Sequence, residues 1–217
     1  MALAASLMHG SMDAAMPDKN IDGTLFLVNR QHMISEAYAP LVRKVEAYGM
    51  SQSMRADAAA ALEEMFAVAK QEGANLSVVS GYRSYSKQST IYARKLAKTN
   101  LETANSLVAL PGASEHQLGM AMDLAQKGGS QLNSGFGNTT AGKWVNANAY
   151  RFGFIVRYQQ DTTEITGYAF EPWHVRYVGK EFAKAIYDSG VPMETFVSAH
   201  RLEVYDYLIT EANEVLP

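Results

Sequence analysis

The chain has 217 residues, 47% of them hydrophobic and 19% charged, which suffices for a packed core and excludes a disordered tail or a collagen-like rod. Its 19 Lys and Arg against 22 Asp and Glu, with no long block of either sign, carry no nucleic-acid or anionic-membrane footprint. No run approaches the roughly 18 apolar residues of a membrane span, and the absence of Cys leaves only His, carboxylate and water to hold a metal.

Residues 1–20 read as a leader or cloning remnant: Met1 to Met16 are rich in Met and Ala but lack the positive start and long apolar run of a secretory signal. Residues 21–217 read as a single domain, with no repeat, linker or low-complexity stretch to divide them. Thr24 to Asn29 is a compact apolar run that predicts a short strand or extended segment. Ser53 to Glu72 predicts an amphipathic helix, with Ala58, Leu62, Met65 and Ala69 at helical spacing, Ser53 to cap its start and Gly73 its end. Leu76 to Val79 predicts a strand opening into Ser80-Gly81-Tyr82-Arg83-Ser84, and polar residues at such exits often do chemistry. Helices are expected at about Ser86–Lys98 and Leu101–Ala109, before the breaker Pro111-Gly112. Ala113 to Gly119 reads as loop, Met120 to Leu124 as a buried strand holding Asp123, and Gly128 to Gly137 as a polar excursion. A helix near Thr140–Tyr150, a strand at Phe154–Arg157, and helices at Lys180–Ser189 and Met193–Asn213 complete the chain, the last with Pro192 at its mouth. In that last helix Phe196, Leu202, Tyr205 and Leu208 read as core positions, with docking of a partner as the alternative. Helices flanking a few clustered strands make the class α+β.

Only five His occur, at 9, 32, 116, 174 and 200, so a metal site has few possible makers. Asp123 lies among Met120, Met122 and Leu124, where a carboxylate is costly to bury unless paired or metal-bound. An Arg partner or a capped turn would satisfy it as well as a metal. Glu171-Pro172-Trp173-His174 is a Glu-x-x-His pair in which Pro172 argues against a regular helix. In an extended segment side chains three apart point to opposite faces, so a local bend must turn both toward one centre if they cooperate. A catalytic zinc needs three protein ligands, an open position for water and a carboxylate nearby to take the water's proton. His116, Asp123 and His174 can supply the ligands and Glu171 the base. The structural alternatives are a core His174 beside Trp173 and a Glu171–Arg176 ion pair. Arg83, where a strand opens into a loop, either clamps a carboxylate or oxyanion with its planar fork or bridges loop carbonyls.

Three stretches bear on these alternatives: Ser80-Gly81-Tyr82-Arg83-Ser84 with Gln88; Pro111 to Leu124, containing Ser114-Glu115-His116 and Asp123; and Ile165-Thr166-Gly167-Tyr168 followed by Glu171 to Gly179. Their order and wording resemble the VanY-type D-alanyl-D-alanine carboxypeptidases, within the wider group of zinc peptidases that includes lysostaphin-type enzymes and the hedgehog signalling domain. The resemblance runs from about Leu25 to about Gly190. It implies zinc held by His116, Asp123 and His174, Glu171 as catalytic base, Arg83 against substrate or tetrahedral intermediate, and Gln88 and Ser114 lining the substrate site. The expected fold is α+β, a small antiparallel sheet carrying the zinc site and flanked by helices. The implied activity is removal of the C-terminal D-alanine from peptidoglycan stem peptides. Removal of one residue from tetrapeptide stems (L,D-carboxypeptidase), a D,D-dipeptidase, a phage-type endopeptidase and a zinc-bearing binding module are the alternatives. Such an enzyme is expected as a monomer, in the periplasm or at the cell surface with an anchor preceding residue 1, or made in the cytoplasm if it serves lysis. Met120, Met122, Val175 and the turn Gln159-Gln160-Asp161 depart from the family's usual residues, the last at the pocket rim, where it bears on substrate preference.

Overall fold

The structure, a computed structural model, describes residues 23–214; the leader expected at 1–20 lies outside them. Buried Met54 decides the start of the fold, because it draws its neighbours into a two-residue ladder of β1 (Arg43–Lys44) and β2 (Ser53–Met54). Ser53 therefore caps no helix, and α1 (Ala56–Gln71) starts after Arg55 with no side-chain cap. The expected stripe of α1 is correct: Ala58, Leu62, Met65 and Ala69 are all buried. Next come β3 (Leu76–Ser80), α2 (Tyr85–Leu96), whose start Ser84 caps by accepting from the Lys87 amide, and α3 (Leu101–Leu107), capped by Asn100.

The expected loop at Ala113–Gly119 contains a 3-10 turn, Glu115–Leu118. Gly119 ends it at φ +71, where a Cβ would also press on Val42 at 3.0 Å, and the chain enters β4 (Ala121–Gln126). The remaining strands and α-helices are α4 (Thr140–Asn148), β5 (Phe154–Tyr158), the one-turn α5 (Thr163–Thr166), β6 (Glu171–Tyr177), α6 (Lys180–Ser189), α7 (Met193–Ala199) and α8 (Arg201–Glu214), with 3-10 turns at Ser134–Asn138 and Ala149–Phe152. One long terminal helix was expected; two form instead. The break falls at His200, whose backbone leaves helical geometry at φ −109 and ψ 29 and whose ring Nδ1 lies 3.0 Å from the Phe196 carbonyl. Phe196 and Val204 are buried, whereas Leu202 and Tyr205 are 74% and 39% exposed, so these two are not core; the Leu208 side chain lies outside the described residues.

Strands β3, β4, β6 and β5 form one antiparallel sheet in that order. Period-two alternation gives it two unlike faces. Met122, Leu124, Phe154, Val156 and Val175 bury one face against Leu62 and Met65 of α1. On the other face stand Asp123, His174 and the two buried arginines, Arg157 and Arg176. The class is α+β, as expected. The opening segment begins as a turn at Thr24-Leu25, closed by the Phe26 amide donating to the Gly23 carbonyl at 3.0 Å, and joins no strand ladder; Arg176 Nη2 instead donates to the Thr24 and Phe26 carbonyls at 2.9 and 2.8 Å. Leu25 and Leu27 then pack with Ile155, Val178 and Ile186, while Phe26 and Val28 pack with Leu118 and Met120. No helix among the described residues is long and apolar enough to cross a membrane.

Candidate active site

Register brings the first two site residues together. Asp123 of β4 and His174 of β6 are direct antiparallel partners, so their side chains leave the same face, and His174 Nδ1 lies 3.1 Å from Asp123 Oδ1. The 3-10 turn before β4 delivers His116, whose Nε2 lies 3.3 Å from Asp123 Oδ2. One ligand atom from each of His116, Asp123 and His174 falls within 4.8 Å of the other two, and all three residues are buried.

The bend demanded of Glu171 and His174 is present as a sheet irregularity. Between the pairs Val156↔Val175 and Tyr158↔Glu171, β5 advances two residues while β6 advances four. That bulge breaks the alternation and re-aims Glu171, whose Oε2 ends 3.9 Å from His174 Nδ1. The expected alternative, a Glu171–Arg176 pair, does not form, since Arg176 bonds Glu115 instead.

Each imidazole is oriented by a bond on its far side. His116 Nδ1 donates to the Gly81 carbonyl at 2.8 Å, which turns its Nε2 lone pair toward Asp123; that buried Nε2 has no hydrogen-bond partner. His174 Nε2 lies 3.2 Å from Glu115 Oε2 and donates to it, leaving Nδ1 on the triad side. Glu115 is itself held by Arg157 Nε at 2.8 Å and Arg176 Nη1 at 3.0 Å, and Arg157 continues to Glu194. The sequence reading assigned no role to Glu115 or Arg157, and considered Arg176 only as a partner of Glu171. The signal was two arginines inside strands that are otherwise apolar, which require a buried counter-charge.

Protonation follows from these contacts. Burial lowers the His116 pKa to about 4, with nearby Arg83 adding to the effect, so this ring is neutral and its lone pair free. Burial opposes charge on His174 too, but bonds to Asp123 and Glu115 outweigh it and raise its pKa to about 9. Burial also raises Glu171, to about 7, against the pull of His174. Despite their own burial, Asp123 and Glu115 are held well below the usual carboxylate range, the first by His116 and His174, the second by Arg157 and Arg176.

Arg83 bridges the triad and α2: its Nη2 lies 3.2 Å from Asp123 Oδ2 and its Nη1 donates to Gln88 Oε1 at 2.9 Å, while Nε has no partner. Gln88 is anchored in turn by donating to the Ala109 carbonyl at 2.8 Å. Arg83 thus faces the triad and, among the described residues, bridges no loop carbonyls. Arg83, Gln88, Ser114, His116, Asp123, Glu171 and His174 all line one open cleft of about 640 Å³. His32 and His200 lie outside it.

Residues 51–180 match the family model for VanY, D-alanyl-D-alanine carboxypeptidase. The chain belongs to this family. A D-alanyl-D-alanine carboxypeptidase of Enterococcus faecalis is 39% identical over 189 residues, covering 82% of this chain and 67% of the relative. The solved structure of the LdcB LD-carboxypeptidase superposes with a TM-score of 0.77 at 42% identity, covering 82% of this chain and 86% of that one. The vancomycin resistance D,D-pentapeptidase VanY of a VanB-type cassette, solved as a mutant in complex with Zn(II), superposes with a TM-score of 0.71 at 38% identity, covering 80% and 98%. As a VanY-family member the chain is a metallocarboxypeptidase. Two imidazoles and a carboxylate with an orphaned, buried Nε2 between them suit zinc by donor chemistry.

Proposed function

We propose that the chain is a zinc D,D-carboxypeptidase that removes the C-terminal D-alanine from peptidoglycan stem peptides, acting outside the cytoplasmic membrane. The observation that carries this reading is the convergence of His116, Asp123 and His174 beside Glu171 at the floor of an open cleft. His116 Nε2, His174 Nδ1 and an Asp123 oxygen are the atoms that would hold the metal. Bound zinc polarises the scissile carbonyl and acidifies an attacking water.

The remaining work falls to side chains. Glu171 takes the water's proton as it attacks, then delivers that proton to the departing amine nitrogen. Its burial suits both roles, because a carboxyl whose pKa lies near neutrality gives and accepts a proton at similar cost. Arg83 puts a cation on the triad, fixed by Gln88 for the substrate's terminal carboxylate or the oxyanion. Ser114 lines the same floor and offers a hydroxyl to the substrate.

The test is incubation of zinc-replete protein with tripeptide, tetrapeptide and pentapeptide stems, read by mass spectrometry, with Glu171→Ala as control. Loss of one D-alanine from the pentapeptide, absent in the variant, is the expected result. The likeness to an LD-carboxypeptidase favours a second reading, in which only the tetrapeptide is shortened. Intact stems throughout would end both.

A further inference from the structure

The cleft is larger than removal of one residue requires, for about 640 Å³ lies within the range that encloses a whole drug-sized ligand. One wall is the face of α2 formed by Gln88, Ile91 and Lys95, at helical spacing i, i+3 and i+7. Gln88 holds Arg83 at the reaction centre. Lys95 stands two turns on, about 10 Å further along the helix axis. Leu107 and Leu132, each more than a third exposed, line the same cleft. It therefore offers apolar wall together with a second cation.

Among the described residues no carboxylate pairs with Lys95. The acids lining the cleft are Glu115, Asp123 and Glu171, and each is engaged at the triad or behind it. Arg94, which shares the last turn of α2 and complements its dipole equally, is exposed, whereas Lys95 is half-buried against the cleft.

We propose that Lys95 forms a distal subsite that binds a free carboxylate of the substrate, on the residue about three positions before the C-terminal one. The inference rests on the carboxypeptidase reading. If the last residue is the one released, no substrate extends past it, so any substrate group 10 Å away belongs to the N-terminal side. An extended peptide covers that distance in about three residues at roughly 3.4 Å each. A compact ammonium on a flexible stem suits a single carboxylate whose exact position varies.

The experiment compares two peptides, acyl-Glu-Xaa-D-Ala-D-Ala and acyl-Gln-Xaa-D-Ala-D-Ala. Their KM is measured on the zinc-loaded enzyme, and their Kd on zinc-loaded Glu171→Ala, where no turnover intervenes. A half-exposed ion pair predicts that the Glu peptide binds about three- to fivefold tighter, and that the preference fades at high salt. Adding Lys95→Gln brings the Glu/Gln ratio to one, Lys95→Glu inverts it, and Lys95→Arg retains it. Equal Kd values for the two peptides on Glu171→Ala, or a ratio unmoved by Lys95→Gln, would overturn the subsite. Failure of the zinc-loaded enzyme to cleave either peptide would count against the carboxypeptidase reading alone, because the Kd ratio still decides Lys95.

Discussion

Glu171 shows how one side chain acquires its chemistry from its surroundings. Its position beside His174 depends on a bulge, and its pKa near 7 on burial opposed by the neighbouring imidazole. A base acts only when deprotonated, so kcat falls as pH drops through the pKa of Glu171. A bound dication favours the carboxylate, which moves that limb to the acid side of the metal-free value. Glu171→Gln keeps the shape and loses the base. We expect kcat to fall by about 10²- to 10⁴-fold with zinc content unchanged, and the residual rate to lose its acid limb. Loss of zinc from this variant, measured by elemental analysis, would instead make Glu171 a ligand. The sequence made the four residues of the centre legible because motif order names residues independently of distance. It joined Asp123 and His174 in one ligand set but did not show the cross-strand register that sets them side by side, since a contact 51 residues apart leaves no trace in spacing.

At the scale of elements, the sheet's polar face is held together by charge rather than packing. Glu115, from the 3-10 turn, ties β5 through Arg157 and β6 through Arg176, and all three side chains are fully buried. These partners lie 42 and 61 residues away, which is why Glu115 reads in the sequence as an unremarked member of a loop. The same limit applies to the terminal helix: periodicity carries through residue 200, but the non-helical backbone at His200 is not written in periodicity. Removing the charge from Glu115 takes the carboxylate from buried Arg176 and leaves buried Arg157 with Glu194 alone. We expect Glu115→Gln to cost about 3–5 kcal/mol in denaturant unfolding of the metal-free protein at pH 7. The sign with pH follows from a folded pKa far below the usual 4.5: the stabilisation is complete above 4.5 and is lost as pH falls toward the folded value. The gap between wild type and variant therefore narrows from pH 7 to pH 3. A gap independent of pH would mean that shape, not charge, is what Glu115 supplies.

For the whole molecule, the metal site is where separately placed segments meet. His116 comes from the turn after α3, Asp123 and His174 from the two inner strands β4 and β6, and Arg83 from the loop after β3. An ion on the first three joins segments that the unfolded chain keeps apart, so zinc affinity reads directly as folding stability. At a free zinc concentration of 100 times Kd the gain is about 2.7 kcal/mol, or roughly 5–10 °C in Tm for a domain of this size. Chelation should reverse both this gain and the activity. Proton balance gives the sharper test. Between two carboxylates, metal-free His174 keeps its proton up to about pH 9, whereas His116 is already neutral above about pH 4. His174 would have to give up that proton for its Nδ1 to hold zinc, and any proton on Glu171 would leave more readily beside a dication. Calorimetric titration with zinc at pH 7, in buffers of different ionisation enthalpy, should therefore show at least one proton released. Apparent affinity should rise about tenfold per pH unit for each such proton, until pH 9. Asp123→Asn removes one of the carboxylates that hold the proton on His174 as well as a metal ligand, so it should weaken zinc binding and reduce the release together. Zinc uptake without proton release would place a neutral His174 in the metal-free protein and undo the charge assignment of the centre.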